Sequence, residues 1–423
     1  MPRKLVFVIL ILIAFPVLAR RRATLPPAPL SRKVIASAVI WIADRVRIDP
    51  SEPRRHWENV PFLDGLILIG EELEHEANPD GPRLIDRASS VILGSDDDII
   101  NLYWGDGTAW AQAALDLYRV TPPGDPRRDA LLAMLAGPMN FAEHAIRTSP
   151  TSGAPRDPWW IEGGYGVRFW QDDMYMVIPW LAMNGSSIDG MPSNESSRNL
   201  AYEWTEAYIY DHRPTSSDPR VVAVPTAPAR TGFLLWDPNH DLFQHQTEWI
   251  GSSDLFWGRG NGWSAIALMR AAHYLDQPYT GTQYPSVVSP AEIREILVRM
   301  AASVKDRRTP DGGWPSDLSH PLNCSAAETS ATGMMTFFLA RGINEGWLDR
   351  DTYLPVAMRA FRLLMQRIDA DGDVTGIQPP GTGPDCSRPT IASDDVINVN
   401  YGPGVWLLAA SEVMKFPEGD LAR

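Results

Sequence analysis

Two adjacent acids stand between a tryptophan and an apolar run in the middle of the sequence. Asp172 and Asp173 follow Trp170, and apolar residues dominate the next segment, 174–183. Aspartate is a favourable N-cap, so this pattern predicts a helix whose mouth holds a carboxyl group beside an aromatic wall. The helix dipole favours the carboxylate there, whereas apolar burial favours the neutral acid, so the group is suited to giving and taking a proton near neutral pH. A helix cap followed by core residues is the simpler and commoner interpretation of the same stretch.

Further segments place polar or aromatic residues in glycine-rich loops before apolar helices. If these helices all begin at one end of the fold, the segments converge there with Asp172. The result would be a concave site with two acids, a histidine, an arginine and several tryptophans. The segments are Trp104–Thr108, Phe243–His245 with Phe256–Trp263, Asp311–Trp314 and Asn400–Gly404.

Several of these side chains also have an ordinary structural explanation. From its spacing alone, Asp106 fits a loop aspartate that supports a turn better than a catalytic acid. His245 lies in a polar loop and is compatible with simple solvation, and Trp257 and Trp263 are compatible with the core. Arg259 is harder to explain, because its small neighbours should leave the guanidinium exposed for a carboxylate or phosphate. No metal-ligand spacing is present, and no P-loop, dinucleotide or nucleophile-elbow motif follows a strand.

Helix follows helix after residue 30, with almost no alternating strand pattern. The segments 262–275 and 402–413 are apolar nearly all round, which indicates burial on every side, whereas 289–304 and 351–368 carry charges on one face. This alternation predicts an all-α (α/α)6 barrel of six inner and six outer helices. An open helical solenoid is the alternative, although no short repeat supports it. The predicted helices are Ser31–Val46, Phe62–Ala77, Pro82–Ile92, Gly107–Tyr118, Arg127–Ile146, Asp173–Met183, Ser196–Tyr210, Asn261–Leu275, Ser289–Val304, Ala326–Arg341, Asp351–Ile368 and Gly402–Lys415.

Composition narrows the classes of partner. The chain has 423 residues, is 44% hydrophobic and carries a net charge of −14, so it can bury a large core and is not expected to bind nucleic acid. An acidic substrate would need a local cation against this overall field. Tryptophan (16) outnumbers phenylalanine (12), and indole rings suit stacking on sugar faces as well as core packing. The sequence does not indicate an oligomeric state.

The N-terminus predicts export. Residues 1–19 combine a short basic start with an apolar run, which is typical of a secretory signal and too short for a comfortable membrane span. A secreted or periplasmic protein without stable membrane insertion is therefore expected, with an uncleaved anchor as the alternative. A Pro- and Arg-rich lead at 20–30, a barrel domain at 31–415 and a tail at 416–423 follow. In an exported protein Cys324 and Cys386 could pair, although two free buried thiols are the alternative.

The motifs resemble those of a known group of enzymes. From about residue 31 to 415 the chain is similar to the unsaturated uronyl hydrolases of glycoside hydrolase families 88 and 105, with family 105, the unsaturated rhamnogalacturonyl hydrolases, the more similar. The run Trp257–Trp263 is the most specific element of the resemblance. The segments that carry it are Trp170–Met176, Phe256–Trp263, Glu328–Ser330 and Gly402–Val413.

The resemblance implies an (α/α)6 barrel and an unusual reaction without a cofactor or metal. Such enzymes hydrate the C4=C5 double bond that a polysaccharide lyase leaves on a terminal uronic acid. Protonation at C4 and addition of water at C5 give a hemiketal, which opens and releases the sugar. The implied general acid and base is Asp172, and Asp106 matches a second pocket acid. The resemblance also implies that the following residues line the sugar site: Trp170, His245, Trp257, Arg259 and Trp263.

Two other functions stay open from the residues alone. One is an ordinary inverting glycosidase on saturated acidic glycans, with Asp106 and Asp172 as acid and base. The other is a barrel that binds glycans without turning them over, in which Arg259 would hold an acidic sugar. The expected partner in every case is an acidic oligosaccharide, and pectin or a related polysaccharide is the expected source.

Overall fold

The computed structural model describes thirteen stretches of the chain. They are residues 30–48, 57–94, 108–148, 171–188, 190–210, 235–245, 255–281, 286, 288–324, 326–380, 383–387, 390–394 and 399–422. The predicted signal and lead therefore lie outside the described residues, as do Asp106 and Trp170 of the predicted site.

Helices dominate the described part, and the twelve predicted ones are confirmed to within a few residues at each end. A 3-10 turn at Trp57–Asn59 precedes α2, and two short strands, β1 (Trp236–Asp237) and β2 (Leu242–Phe243), form an antiparallel hairpin before α8. The helices are α1 (Arg32–Arg45), α2 (Val60–His75), α3 (Asp80–Leu93), α4 (Trp110–Val120), α5 (Pro126–Thr148), α6 (Gln171–Asn184), α7 (Glu195–Ile209), α8 (Gly258–Leu275), α9 (Pro290–Lys305), α10 (Thr329–Asn344), α11 (Arg350–Gln366), α12 (Tyr401–Val413) and the short α13 (Glu418–Leu421).

The even-numbered helices α2 to α12 form a closed inner ring, and the odd-numbered helices α1 to α11 pack outside it. Each inner helix contacts the next, and α12 contacts α2, so the ring closes and the solenoid alternative is wrong. All thirteen residues of α12 are buried, whereas α9 buries only an apolar stripe. This difference is the one that the apolar and amphipathic sequence patterns predicted.

Close backbone approach seals the ring between its first and last inner helices. A Cβ atom at Gly404 in α12 would lie 2.3 Å from the backbone nitrogen of Phe62 in α2. No side chain fits in that space, so glycine at this position allows the two helix backbones to touch.

The alternation of inner and outer helices sets the direction of the inner ones. Because each inner helix returns through an outer helix, all six begin at the same end of the barrel. The first residues of α6 and α8 and the N-cap of α10, Glu328, accordingly lie together there. One disulfide, Cys324–Cys386, joins two loops at this end with Cα atoms 5.3 Å apart. The prediction that these cysteines could pair is confirmed.

A charged cluster lies inside the ring and links four inner helices. Arg270 of α8 forms ion pairs with Asp64 of α2 (3.1 Å) and Asp116 of α4 (2.8 Å), and Tyr175 of α6 donates its hydroxyl hydrogen bond to Asp64 (3.3 Å). The side chains of Asp64, Asp116 and Arg270 are almost entirely buried. Burial raises the pKa of Asp64 to about 7, Arg270 opposes the rise, and Asp116 adds to it.

No helix in the described stretches is long and apolar enough to cross a membrane.

We expect Asp64→Asn to flatten the pH dependence of folding stability. The raised pKa means that folded Asp64 keeps a proton between pH 3.8 and about 7, which the unfolded chain has released. The stabilisation that Asp64 adds to the free energy of unfolding is therefore fully present below this window. It is lost as pH rises through the window, by up to about 1.4 kcal/mol per pH unit. Urea unfolding across the window measures this slope. The exposed Asp371→Asn change serves as the control, and parallel profiles for wild type and Asp64→Asn would contradict the prediction.

Candidate active site

The two acids of the central motif lie in the first turn of α6. The helix begins at Gln171, so Asp172 and Asp173 are inside it, and the expectation that one of them is the N-cap is wrong by one or two residues. The Asp173 residue is 8% exposed, whereas the Asp172 side chain keeps 23% of its surface open. Asp172 is therefore the acid that solvent or a ligand reaches.

The β-hairpin brings His245 to Asp172. Nδ1 of His245 lies 3.4 Å from Oδ2 of Asp172, and the backbone N–H of Gln171 donates to the carbonyl of His245 at 2.9 Å. Asn261 of α8 fixes the strand before it, because its Oδ1 accepts from the Phe243 N–H (2.8 Å) and its Nδ2 donates to the Phe243 carbonyl (3.0 Å). The asparagine of the specific sequence motif thus positions the histidine, a role that its spacing alone does not reveal.

The environment of His245 opposes protonation. Its side chain is only 14% exposed. Burial lowers the pKa of His245, the Asp172 carboxylate raises it in part, and the positive charge of Arg259 lowers it further. The neutral imidazole is therefore favoured, and it is suited to accepting or relaying a hydrogen bond beside Asp172.

Trp257 forms an aromatic wall against the histidine. The two rings meet edge to face, with centroids 4.7 Å apart and planes at 78°. The indole N–H of Trp257 donates to Oε1 of Gln378 at 3.0 Å, which fixes the ring. Asp172, His245 and Trp257 are therefore brought together, as the motifs predicted.

Arg259 is buried against the Trp257 ring and is not exposed in the site. The residue is 1% exposed, and its guanidinium packs between the Trp257 and Tyr401 rings, 4.6 and 5.0 Å from their centroids. It donates to the carbonyl oxygens of Gln378 (2.6 Å) and Pro379 (3.0 Å). The expectation of an exposed fork is wrong, because burial of the neighbouring glycines carries the arginine inward with them. A direct contact between Arg259 and substrate stays a prediction.

Trp263 lies deeper in the barrel. It is fully buried, and its ring lies 4.5 Å from Tyr175 and 6.3 Å from Trp57. Trp57, from the turn before α2, also stacks on Tyr401 at 5.7 Å. Trp263 thus supports the rings of Tyr175 and Trp57 from inside the barrel. A contact between Trp263 and a sugar stays a prediction.

Gln378 is a site residue that sequence reasoning missed. It is 2% exposed, and its carbonyl accepts from Arg259 and from the Tyr401 hydroxyl (2.6 Å). Its backbone N–H donates to Glu328, the N-cap of α10, at 2.7 Å, and its side-chain amide donates to the Gly383 carbonyl at 2.7 Å. Gln378 therefore connects Arg259 and Glu328, which belong to two of the sequence motifs, to the loop that the disulfide holds. No local pattern marks it, because its partners are distant in sequence.

Two predicted site residues cannot be placed. Asp106 and Trp170 lie outside the described residues, so their predicted roles stay predictions. The inverting-glycosidase alternative needs the separation of the Asp106 and Asp172 carboxyl groups and is therefore equally untested.

The histidine–aspartate pair can be tested by titration. Asp172→Asn removes the negative charge that partly raises the His245 pKa, so we expect a further fall in that pKa. Nuclear magnetic resonance of the histidine ring carbons measures it. Asp173→Asn is the matched control from the same turn, and an unchanged or higher His245 pKa in Asp172→Asn would contradict the assigned contact.

The Gln378 contacts predict a stability effect. Gln378→Leu leaves the Trp257 indole N–H without its acceptor, whereas the Gly383 carbonyl keeps its hydrogen bond from the Ser316 hydroxyl (3.2 Å). Because a buried donor left unpaired costs about 1–3 kcal/mol, we expect the free energy of unfolding to fall by about that amount in urea titrations. The exposed Gln366→Leu change in α11 is the control, and equal stabilities for the two variants would show that Gln378 does not hold the wall.

Comparison with known proteins identifies the family to which the sequence is similar. A sequence profile described as Glycosyl Hydrolase Family 88 matches residues 142–417. Two curated relatives are each named unsaturated 3S-rhamnoglycuronyl hydrolase. The one from Formosa agariphila is 28% identical over 250 residues, which cover 59% of this chain and 58% of that protein. The one from an Alteromonas species is 28% identical over 245 residues, 55% of each chain. The alignments thus span less than two thirds of either relative.

Solved structures agree on the fold. A possible member of the GH105 family from Klebsiella pneumoniae superimposes with a TM-score of 0.65 at 17% identity, over 95% of this chain and 98% of that one. Unsaturated glucuronyl hydrolase from Bacillus sp. GL1 superimposes with a TM-score of 0.59 at 15% identity, over 91% and 97%. These similarities show the (α/α)6 barrel predicted from the helix pattern. Because the profile match covers more than half of the sequence, the chain belongs to Glycosyl Hydrolase Family 88.

Proposed function

We propose that the protein is a hydrolase that removes a terminal 4,5-unsaturated uronic acid from lyase-generated oligosaccharides. The observation that carries this proposal is the partly exposed Asp172 at the start of an inner helix, facing His245 and the Trp257 wall. Family membership and the names of the two curated relatives support the same reaction class.

The proposed reaction is hydration of a vinyl ether. Protonated Asp172 gives its proton to C4 of the unsaturated ring, and positive charge develops at C5 beside the ring oxygen. The resulting carboxylate then takes a proton from the water whose oxygen adds to C5. The C5 hemiketal opens to a ketone and the leaving sugar departs, so Asp172 ends the cycle protonated. One carboxyl group thus serves both steps.

The surrounding side chains would assist the reaction without forming or breaking covalent bonds to the sugar. His245 is favoured as the neutral imidazole, so it can orient the Asp172 carboxyl or the incoming water through a hydrogen bond. The Trp257 ring offers an apolar edge that restricts water around the flattened sugar. Arg259 holds this wall through stacking, and its buried positive charge lies close enough to act on His245.

The substrate source and cellular location form the finer part of the proposal. We propose an exported enzyme acting on fragments of pectin or a related acidic polysaccharide. The basic and apolar start at 1–19 and the Cys324–Cys386 disulfide support export. The names of the curated relatives add unsaturated 3S-rhamnoglycuronyl fragments to the substrates worth testing.

We expect Asp172→Asn to lower the rate by about 10²-fold or more, because the amide cannot donate the proton to C4. Loss of the ultraviolet absorbance of the double bond measures the rate, on unsaturated rhamnogalacturonyl and unsaturated rhamnoglycuronyl disaccharides. Asp173→Asn is the control from the same helix turn. Full activity of Asp172→Asn, or a larger loss in Asp173→Asn, would remove Asp172 from its role.

A further inference from the structure

A proline interrupts the backbone hydrogen bonds of the helix that carries Asp172. Pro179 lies in the interior of α6, which begins at Gln171. Proline has no backbone N–H, and its ring crowds the carbonyl group one turn earlier, which here belongs to Tyr175. That carbonyl therefore loses the hydrogen bond that residue 179 would otherwise donate. The turn that contains Asp172 is joined to the rest of α6 less tightly than in an uninterrupted helix.

Side chains at the start of the neighbouring inner helix bridge this gap. Nε2 of Gln112 in α4 donates to the Tyr175 carbonyl at 3.4 Å. The hydroxyl of Thr108, one turn before Gln112, donates to the next carbonyl of α6, that of Met176, at 3.5 Å. The donor that proline cannot supply within α6 is thus supplied by a glutamine of α4.

Gln112 would be a costly residue at this position without that contact. It is fully buried, and its Oε1 atom has no hydrogen-bond partner in the described part of the chain. Burial of an amide is unfavourable unless hydrogen bonds compensate it, and the bond from Nε2 to Tyr175 does so here. A leucine of similar size would fill the same space without this cost. The contact with α6 therefore accounts for a glutamine inside the ring.

The backbone of α6 is held to other elements on both sides of Asp172. At the start of the helix, the backbone N–H of Gln171 donates to the His245 carbonyl. One turn later, Gln112 holds the Tyr175 carbonyl. The hairpin and α4 together therefore fix the first turn of α6, in which the acid lies.

The direction of this turn sets the geometry of the acid. Tyr175 follows Asp172 at a distance of about 4.5 Å along the helix axis. A tilt of the first turn moves the Asp172 carboxyl relative to Nδ1 of His245, which lies 3.4 Å away. A misplacement of about 1 Å can lower a rate by about 10²-fold. A side chain that fixes the turn can therefore affect the reaction without touching the substrate.

We propose that Pro179 and Gln112 are positioning residues for Asp172. Pro179 removes one hydrogen bond from the helix and so directs the first turn of α6 toward His245, and Gln112 fixes that direction from α4. Their effect on the reaction rests on the proposed function. Their effect on the contact between Asp172 and His245 does not.

Pro179→Ala separates positioning from stability. Alanine restores the N–H that pairs with the Tyr175 carbonyl and has the highest helix propensity, so the urea midpoint of unfolding should be at least that of the wild type. The straighter helix moves Asp172 away from His245. On the unsaturated disaccharides, kcat should therefore fall by about tenfold or more while KM changes less than about twofold. Pro355→Ala, in the outer helix α11, is the matched control and should leave kcat unchanged.

Gln112→Leu tests the second positioning residue. It should lower kcat by about tenfold or more with little change in KM, and it should also lower the urea midpoint. In the Pro179→Ala background the midpoint should fall less, because residue 179 then donates to the Tyr175 carbonyl. Trp406→Phe is the control, since it removes a buried donor to the Leu364 carbonyl (3.0 Å) outside α4 and α6. It should lower the urea midpoint without lowering kcat.

Titration of His245 gives a readout that needs no substrate. Burial lowers the pKa of His245, and the nearby Asp172 carboxylate partly raises it. Displacement of the carboxylate weakens this second effect, so nuclear magnetic resonance should show a lower His245 pKa in Pro179→Ala and in Gln112→Leu. The His245 pKa should be unchanged in Trp406→Phe.

The outcomes distinguish the positioning from the proposed function. A wild-type protein that leaves the unsaturated disaccharides intact would overturn the proposed function, and the titration of His245 would then decide the positioning by itself. A wild-type His245 pKa in both Pro179→Ala and Gln112→Leu would overturn the inference. With an active wild type, losses of kcat no larger than that of Trp406→Phe would overturn it as well.

Discussion

The contact between α12 and α2 is the constraint on which the barrel depends. Gly404 lets the backbones of these helices touch, and this contact between the first and the last inner helix closes the ring. A closed ring buries its inner helices on every side, so polar groups inside it must satisfy one another. The cluster of Asp64, Asp116 and Arg270 is the result in the interior, where it ties helices from both halves of the chain together.

The same closure explains why chemistry concentrates at one end. Inner helices that run in one direction present their N-terminal backbone N–H groups together, and these favour acidic side chains. Asp172 lies in the first turn of α6 and Glu328 caps α10. The loops before the helices then carry His245 and Trp257 to the acid, and Gln378 fixes the wall behind them.

Buried and exposed side chains have different roles in the candidate active site. Arg259 shapes the site by stacking and by hydrogen bonds to loop carbonyls, and its charge helps to keep His245 neutral. Asp172 alone among these groups keeps an open side chain beside the histidine.

The sequence alone predicted the twelve helices, the inner or outer place of four of them and the convergence of Asp172, His245 and Trp257 at one end of the fold, because apolar periodicity and motif order carry that information. It did not determine that Arg259 is buried, since the exposure of an arginine among glycines depends on what packs over them. Nor did it reveal Gln378, whose partners Glu328, Trp257 and Tyr401 lie far away along the chain. Tertiary structure decided these points, because hydrogen bonds between distant segments exist only once the ring has closed.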